Sequence, residues 1–406
     1  MRQHWWLDPE HTYLNHGTVG ATPRVVLAAQ QALQQQIEAH PARFLFRELL
    51  SSPAPAPAPV PAAAEVDVPA PPRPRLRAAA DAVGAFVGAR GDDLAFVDNA
   101  SAGINAVLRS LVLQPGDELL LHDLAYGAVA RAAQYVARRQ GAQVVTFRWP
   151  FPADSADPGR WVDALTAAIT PRTRLAIVDH IVSETSLVLP VAEIARACRA
   201  RGVPLLVDGA HAPGAIALDI AAIGADWYVA NLHKWAFAPR GCGVLWAAPA
   251  RQHDLHPGVI SWGLDQGLAA EFDWTGTRDP SAWLTAPAGL AFIEQTLGTV
   301  RMRDHNHALV CDAARHLAER AGCGWHTPGA MLGCMATVPL APRLADALGA
   351  TPAGATRLKD WLFHAHRIEA QILALRGALW VRLSAQVYND AADIDQLADA
   401  LDAFAA

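Results

Sequence analysis

Two apolar runs that each end in polar residues constrain this chain more than any other feature. Pro204-Leu205-Leu206-Val207 ends in Asp208-Gly209-Ala210-His211, and Trp227-Tyr228-Val229-Ala230 ends in Asn231-Leu232-His233-Lys234-Trp235. Short apolar runs without polar alternation suit strands buried on both faces, as in a parallel sheet. Open parallel sheets hold ligands beyond the C-terminal ends of their strands. The pair therefore predicts one sheet edge carrying Asp208, His211, His233 and Lys234. Trp235, Phe237 and Pro239-Arg240-Gly241 surround Lys234 in sequence, which is not the setting of a solvated lysine.

The same alternation extends over the middle of the chain. Leu94–Val97, Glu118–Leu121, Gln143–Phe147, Leu175–Val178 and Gly243–Trp246 read as further strands. Between them lie helical patterns at Ile104–Leu113, Ala128–Gln140 and Val191–Arg201, the last stopped by Gly202. Seven strands alternating with helices predict an α/β fold with a mostly parallel seven-stranded sheet covered on both faces. Residues 286–406 open with a long helix, hold strands at 330–340 and 379–385, and read as a smaller α+β C-terminal domain. Residues 76–285 form the large domain, opening with a helix over Leu76–Val87, and residues 1–52 form an N-terminal arm with a helix over Val25–Leu50. Between these helices, residues 53–75 are a Pro/Ala-rich insertion. Its alternating prolines lack N–H donors and favour an extended polyproline path in solvent.

Composition removes several classes of function. A net charge of −6 and a pI near 6.2, with Lys and Arg scattered, leave no basic field for nucleic acid or anionic lipid. The N-terminus lacks the apolar core of a signal peptide, and no apolar run reaches the length of a membrane span. Five cysteines, odd in number and without a Cys-x-x-Cys pair, fit reduced thiols in a cytoplasmic protein. His305, His307, His364 and His366 lack carboxylate or cysteine partners at metal-ligand spacing, so they read as helix surface and no metal is expected.

An acid and a lysine at one sheet edge meet the needs of pyridoxal phosphate. The lysine binds the cofactor aldehyde, and the acid keeps the pyridine nitrogen protonated so that the ring accepts electrons. The order Asp208-Gly209-Ala210-His211, His233-Lys234-Trp235, Ala238-Pro239-Arg240-Gly241 resembles the class V, fold-type I pyridoxal-phosphate enzymes, and within them the isopenicillin N epimerase-like branch. Tyr13–Gly20, Trp274–Pro280 and Arg382–Asn389 carry the same resemblance, which spans nearly the whole chain.

The resemblance implies a set of roles. Lys234 is the covalent anchor, Asp208 the partner of the pyridine nitrogen, and Tyr126 the ring stacked on the pyridine. His211 bonds the phenolic oxygen or Asp208, and Ser183 in Asp179–Thr185, where Glu184 stands in place of a usual proline, lies near the phenolic oxygen. Ala100, Ser101 and Ala102, in a turn that also suits a plain helix cap, hold the phosphate together with His233. Thr275, Gly276 and Thr277 reach the phosphate from a second subunit, which implies a homodimer with its active site at the interface. Arg382 takes the α-carboxylate of an amino-acid substrate in a bidentate fork, with Asn15, His16 and Arg47 lining the entrance.

Abstraction of the Cα proton is common to the branch. Epimerisation is the leading expectation, with transamination or β-elimination by a C–S lyase as alternatives and a non-catalytic cofactor-binding regulator as a remote one. A second acid/base for epimerisation would be Tyr126, His16 or His180, the last of which also reads as a core histidine. A desulfurase is not expected, because Cys334 lies in an apolar strand-like run rather than on a mobile loop.

Overall fold

The structure, a computed structural model, describes residues 1–50, 73–149, 151–152, 157–325 and 327–404. The Pro/Ala-rich insertion lies almost wholly outside the described residues.

The large sheet contains β1 (Leu94–Val97), β2 (Glu118–His122), β3 (Gln143–Phe147), β4 (Thr173–Asp179), β5 (Leu205–Asp208), β6 (Trp227–Asn231) and β7 (Gly243–Ala247). Their spatial order is β1-β7-β6-β5-β4-β2-β3. Only β7 runs against its neighbours, so the sheet is mostly parallel. Strands β1, β2, β5, β6 and β7 are buried along their length, whereas the edge strand β3 exposes Gln143.

Because successive side chains point to opposite faces, each strand feeds two cores. Leu120, Val178, Leu205, Val207 and Val244 pack on one side. Leu119, Leu121, Ile177, Leu206, Val229 and Leu245 pack on the other, against helices α1 (Ala100–Ser110) and α2 (Gly127–Gln140). Gly103 of α1 lets the helix sit tightly on the sheet, since a Cβ there would lie 2.8 Å from a Val229 methyl.

A smaller C-terminal unit holds an antiparallel sheet of β8 (Met335–Pro339), β9 (Gln371–Leu375) and β10 (Ala378–Ser384), ordered β9-β10-β8. The N-terminal arm is stitched to it: Thr12–Tyr13 pair in parallel with Ile368–Glu369, and Asn15 bridges Ser384. That stitching carries residues 15–20 to the edge of the large sheet. No helix among the described residues is long and apolar enough to cross a membrane.

The sequence reading differs from the structure in local detail. The helix expected over Val25–Leu50 runs only from Arg24 to Ala39, because the residue before a proline is pushed out of the helical region and His40 precedes Pro41. Residues 44–49 then form a wide turn of π-helical pattern. The strand expected over 330–340 is confined to Met335–Pro339, with a 3-10 turn at Gly329–Met331. Strand β9 was not anticipated. Its hairpin to β10 turns on Arg376 and Gly377, both with positive φ (53° and 78°), the geometry of a type I′ turn without the usual Asn-Gly signal.

Leu206, fully buried at the centre of the sheet, offers a test of this core. Leu206→Ala is expected to lower stability by about 2–5 kcal/mol, measured by denaturant unfolding, and a loss below about 1 kcal/mol would contradict its position.

Candidate active site

The C-terminal ends of β4, β5 and β6 meet where the chain places most of its buried ionisable groups. Asp208 ends β5 directly beside Asp179 of β4. Its Oδ1 accepts the Ala210 N–H at 3.0 Å, which leaves Oδ2 to face a ligand. Burial, reinforced by the charge of Asp179, raises the Asp208 pKa to about 7, and Lys234 opposes that rise.

Lys234 follows β6 in a loop buried at Trp235–Pro239. Its Nζ donates to His211 Nε2 at 3.2 Å. Burial and then the charge of Arg382 lower its pKa to about 8. His211 is buried, its pKa is pushed well below the ordinary value by burial and by Lys234, and its Nδ1 has no partner. The loop is held from behind by His16. Nε2 of His16 donates to the Lys234 carbonyl at 3.1 Å, while Nδ1 accepts from the Tyr388 hydroxyl at 2.8 Å. Gly20, at φ 73°, passes so close that a Cβ would lie 2.2 Å from the His233 carbonyl oxygen.

Arg382 enters from β10 and is buried. One guanidinium nitrogen donates to the Ser183 carbonyl (2.8 Å) and hydroxyl (3.2 Å). The other donates to Thr18 Oγ1 (2.6 Å) and Asn15 Oδ1 (3.4 Å), and Nε has no partner. Tyr126, 49% exposed, stands at the start of α2, near enough for its charge to act on Arg382.

At the start of α1, the N–H groups are partly occupied by the protein. Asn231 Oδ1 accepts from Ala100 N at 2.8 Å, and Asn99 caps Ala102 N at 3.0 Å. Among Ala100, Ser101 and Ala102, it is Ser101 whose N–H and hydroxyl carry no such bond, so it is the donor left for an anion. His233 directs Nδ1 to the Cys242 carbonyl at 2.9 Å, leaving Nε2 as its ligand-facing nitrogen.

The remaining expected residues lie apart. Arg47 is exposed on the 44–49 turn. Gly276 and Thr277 line a surface groove of about 660 Å³ with Phe46, Trp262 and Trp274, and Thr275 lines a neighbouring cleft beside Asp98. None of the four bonds to the Lys234 cluster within this chain.

The structure departs from the sequence reading at His16 and His307 and decides between the two readings of His180. His16 does not line an entrance; it is a fully buried brace of the Lys234 backbone, with its pKa lowered to about 4 by burial. His180 is a core histidine, bonded to the Tyr228 hydroxyl at 2.7 Å and likewise lowered to about 4 by burial. His307 is half-buried rather than surface, with Nδ1 3.3 Å from the Gly333 carbonyl. Sequence reasoning missed the buried His122–Asp179 pair (2.7 Å), although both residues sit at the polar ends of apolar runs. Among the described residues one histidine–carboxylate group, His256, Asp265 and Glu271, gathers ligand atoms within 4.8 Å, and His256 and Glu271 already bond each other at 2.7 Å.

These donors suit a ligand that carries an aldehyde, a basic ring nitrogen and an anion. They offer a half-buried amine, a carboxylate with one uncommitted oxygen, an unpartnered imidazole nitrogen and a hydroxyl at a helix start. The chain belongs to the class V aminotransferase family, which it matches over residues 74–343, and it is an enzyme that depends on pyridoxal phosphate. It is similar to isopenicillin N epimerase of Streptomyces clavuligerus, with 34% identity over 98% of this chain and 96% of that one. It is also 30% identical to a probable chloroplastic L-cysteine desulfhydrase of Arabidopsis thaliana, over 97% of this chain and 83% of the relative. In fold it resembles a complex of the cystine C–S lyase C-DES with cysteine persulfide (TM-score 0.74, 21% identity, 98% and 99% of the two chains).

Burial of His16 and His180 as neutral rings predicts acid sensitivity. Their folded pKa values of about 4 lie below the ordinary 6.5, so the unfolded chain binds more protons between these limits. Their contribution is intact above pH 6.5 and declines as pH falls toward 4. The thermal midpoint should fall over that interval, and His16→Gln should flatten the decline; an unchanged slope in the variant would contradict the buried neutral ring.

Proposed function

We propose that the protein catalyses cleavage of the Cα–H bond of an α-amino acid, with epimerisation as the outcome. The observation that carries this reading is the placement of Lys234 Nζ, 3.2 Å from His211 and under the influence of both Asp208 and Arg382. Similarity to isopenicillin N epimerase supports the choice of outcome.

Pyridoxal phosphate, when bound, supplies an aldehyde that takes up amines and a ring that accepts the electron pair left at Cα. Lys234, Asp208, His211, His233 and Ser101 would hold it. Lys234 would anchor the aldehyde, and its Nζ is the group that would take the Cα proton of a bound amino acid. A pKa near 8 suits that task, because the amine is then partly neutral at mildly alkaline pH and its conjugate acid can return the proton. Asp208, with Oδ2 uncommitted, would pair with a basic ring nitrogen, and Tyr126 would shield the bound group from water. Arg382 exchanges its contacts with Ser183 and Thr18 for a substrate carboxylate, which fixes the orientation of Cα. Thr275, Gly276 and Thr277 fit a role at a second subunit's phosphate, since they lie away from Lys234 in their own chain; we propose a homodimer on that ground.

Epimerisation needs a proton delivered to the opposite face from Lys234. With His16 and His180 committed elsewhere as neutral buried rings, Tyr126 is the group we assign to it. The same commitment favours β-elimination as the second reading, because elimination can proceed with Lys234 alone. Sulfur transfer to a cysteine is disfavoured, since Cys334 is buried with its thiol pKa pushed up to about 12 and its Sγ bonded to the Ala215 carbonyl at 3.4 Å.

Incubation of a panel of amino acids with the holoenzyme in deuterated water tests the proposal. Deuterium at Cα with loss of chirality is expected; pyruvate and ammonia release would transfer the assignment to elimination, and no exchange with any amino acid would overturn the proposal. Arg382→Ala should weaken amino-acid binding by at least about tenfold while cofactor is retained, as for loss of a charge-assisted hydrogen-bond pair. Equal binding by the variant would remove Arg382 from the carboxylate role.

A further inference from the structure

The turn that follows β4 offers a carboxylate that the proposed reaction does not use. Ser183 contacts Arg382 through both its carbonyl and its hydroxyl. The next residue, Glu184, is held by its backbone: its carbonyl accepts from Thr337 Oγ1 at 2.8 Å, and the same Thr337 hydroxyl bonds Ser186 Oγ at 2.9 Å. Thr337 lies opposite Arg382 in the β8–β10 ladder. The turn is therefore stapled to the strand pair that carries Arg382, and its path is fixed further by Ser186 at φ 64°.

The Glu184 side chain itself is exposed to solvent, and its carboxylate has no hydrogen bond or ion pair among the described residues. The charged groups around it are otherwise engaged. Arg376 is paired with Asp123 at 2.7 Å, Asp179 with His122 at 2.7 Å, and Arg382 with Ser183, Thr18 and Asn15. Of the charges acting on Arg382, that of Glu184 is the largest. Desolvation by the protein around its carboxyl, and then the charge of Asp179, raise the Glu184 pKa, while the charges of Arg376, Arg382 and His122 oppose that rise.

We infer that Glu184 is a specificity-determining residue, receiving an ammonium or N–H donor on the side chain of the amino-acid substrate whose α-carboxylate is held by Arg382. The inference rests on the amino-acid chemistry proposed above. Glu184 directly follows the Ser183 contact to Arg382, on a turn bonded to the same strand pair, and its carboxylate would then lie beside the path of the substrate side chain. An acidic side chain would instead add like charge to a carboxylate already acted on by Asp179, and a purely apolar one would offer it no hydrogen bond.

The experiment measures dissociation constants of L-ornithine, L-norvaline and L-glutamate from the change each produces in the absorbance of the bound cofactor. The holoenzyme should bind ornithine about tenfold or more tighter than norvaline, as expected for a hydrogen bond between charged groups, and glutamate weakest. Glu184→Gln should bring ornithine and norvaline to within about twofold of each other, and Glu184→Lys should reverse the order of ornithine and glutamate. An order that is the same in all three proteins, with thermal midpoints matched, would overturn the inference and leave the amino-acid reading standing. If no amino acid perturbs the spectrum of the unsubstituted holoenzyme, the underlying reading fails and this one with it.

Discussion

Asp208 and Arg382 are buried and Lys234 is half-buried where the large sheet meets the C-terminal sheet, and the structure around them is organised by the cost of enclosing charge. An isolated buried charge is expensive unless it is paired or hydrogen-bonded. Here Asp208 leans on the Ala210 N–H, Lys234 on His211, and Arg382 on Ser183, Thr18 and Asn15. The compensation is incomplete, as the shifted pKa values of Asp208 and Lys234 record. Groups left in that state are poised to gain from a ligand that brings an aldehyde, a ring nitrogen and a carboxylate.

Neither unit of the fold supplies this site alone. The large sheet delivers Asp208, His211, His233 and Lys234 from adjacent strand ends. The C-terminal sheet delivers Arg382, and the N-terminal arm delivers Asn15, His16 and Thr18. Two bonds tie these parts together at the lysine: His16 to the Lys234 carbonyl, and Arg382 across to Thr18. The arm is held to the C-terminal unit by its pairing with Ile368–Glu369, so a shift of that unit would move both the carboxylate anchor and the brace behind the lysine.

Much of this was legible in the sequence where hydrophobic pattern controls structure. All seven strands of the large sheet read as short apolar runs because both faces are covered, and their polar ends marked the ligand edge. Strand order, and the reversal of β7, were not legible, since pairing is decided by packing between distant segments. The β9–β10 hairpin was missed because its turn uses Arg376 rather than the residues that usually take positive φ. The histidines show the limit most clearly. His16 and His180 stand in motifs that look reactive, yet burial and hydrogen bonds to Tyr388 and Tyr228 make them neutral braces, which depends on residues far away in the chain. Asn231 similarly occupies an N–H of the helix start that the local sequence leaves open.

The central claim is that Lys234 carries the cofactor. The chain contains two lysines, Lys234 and Lys359, and the latter lies on the helix Pro352–His366 of the C-terminal unit. Borohydride reduction of the cofactor-loaded protein, followed by mass spectrometry of its peptides, separates the two without ambiguity. The account predicts the cofactor mass on the peptide holding Lys234 and none on that holding Lys359. Label on Lys359, or no label on either lysine in protein saturated with cofactor, would contradict it.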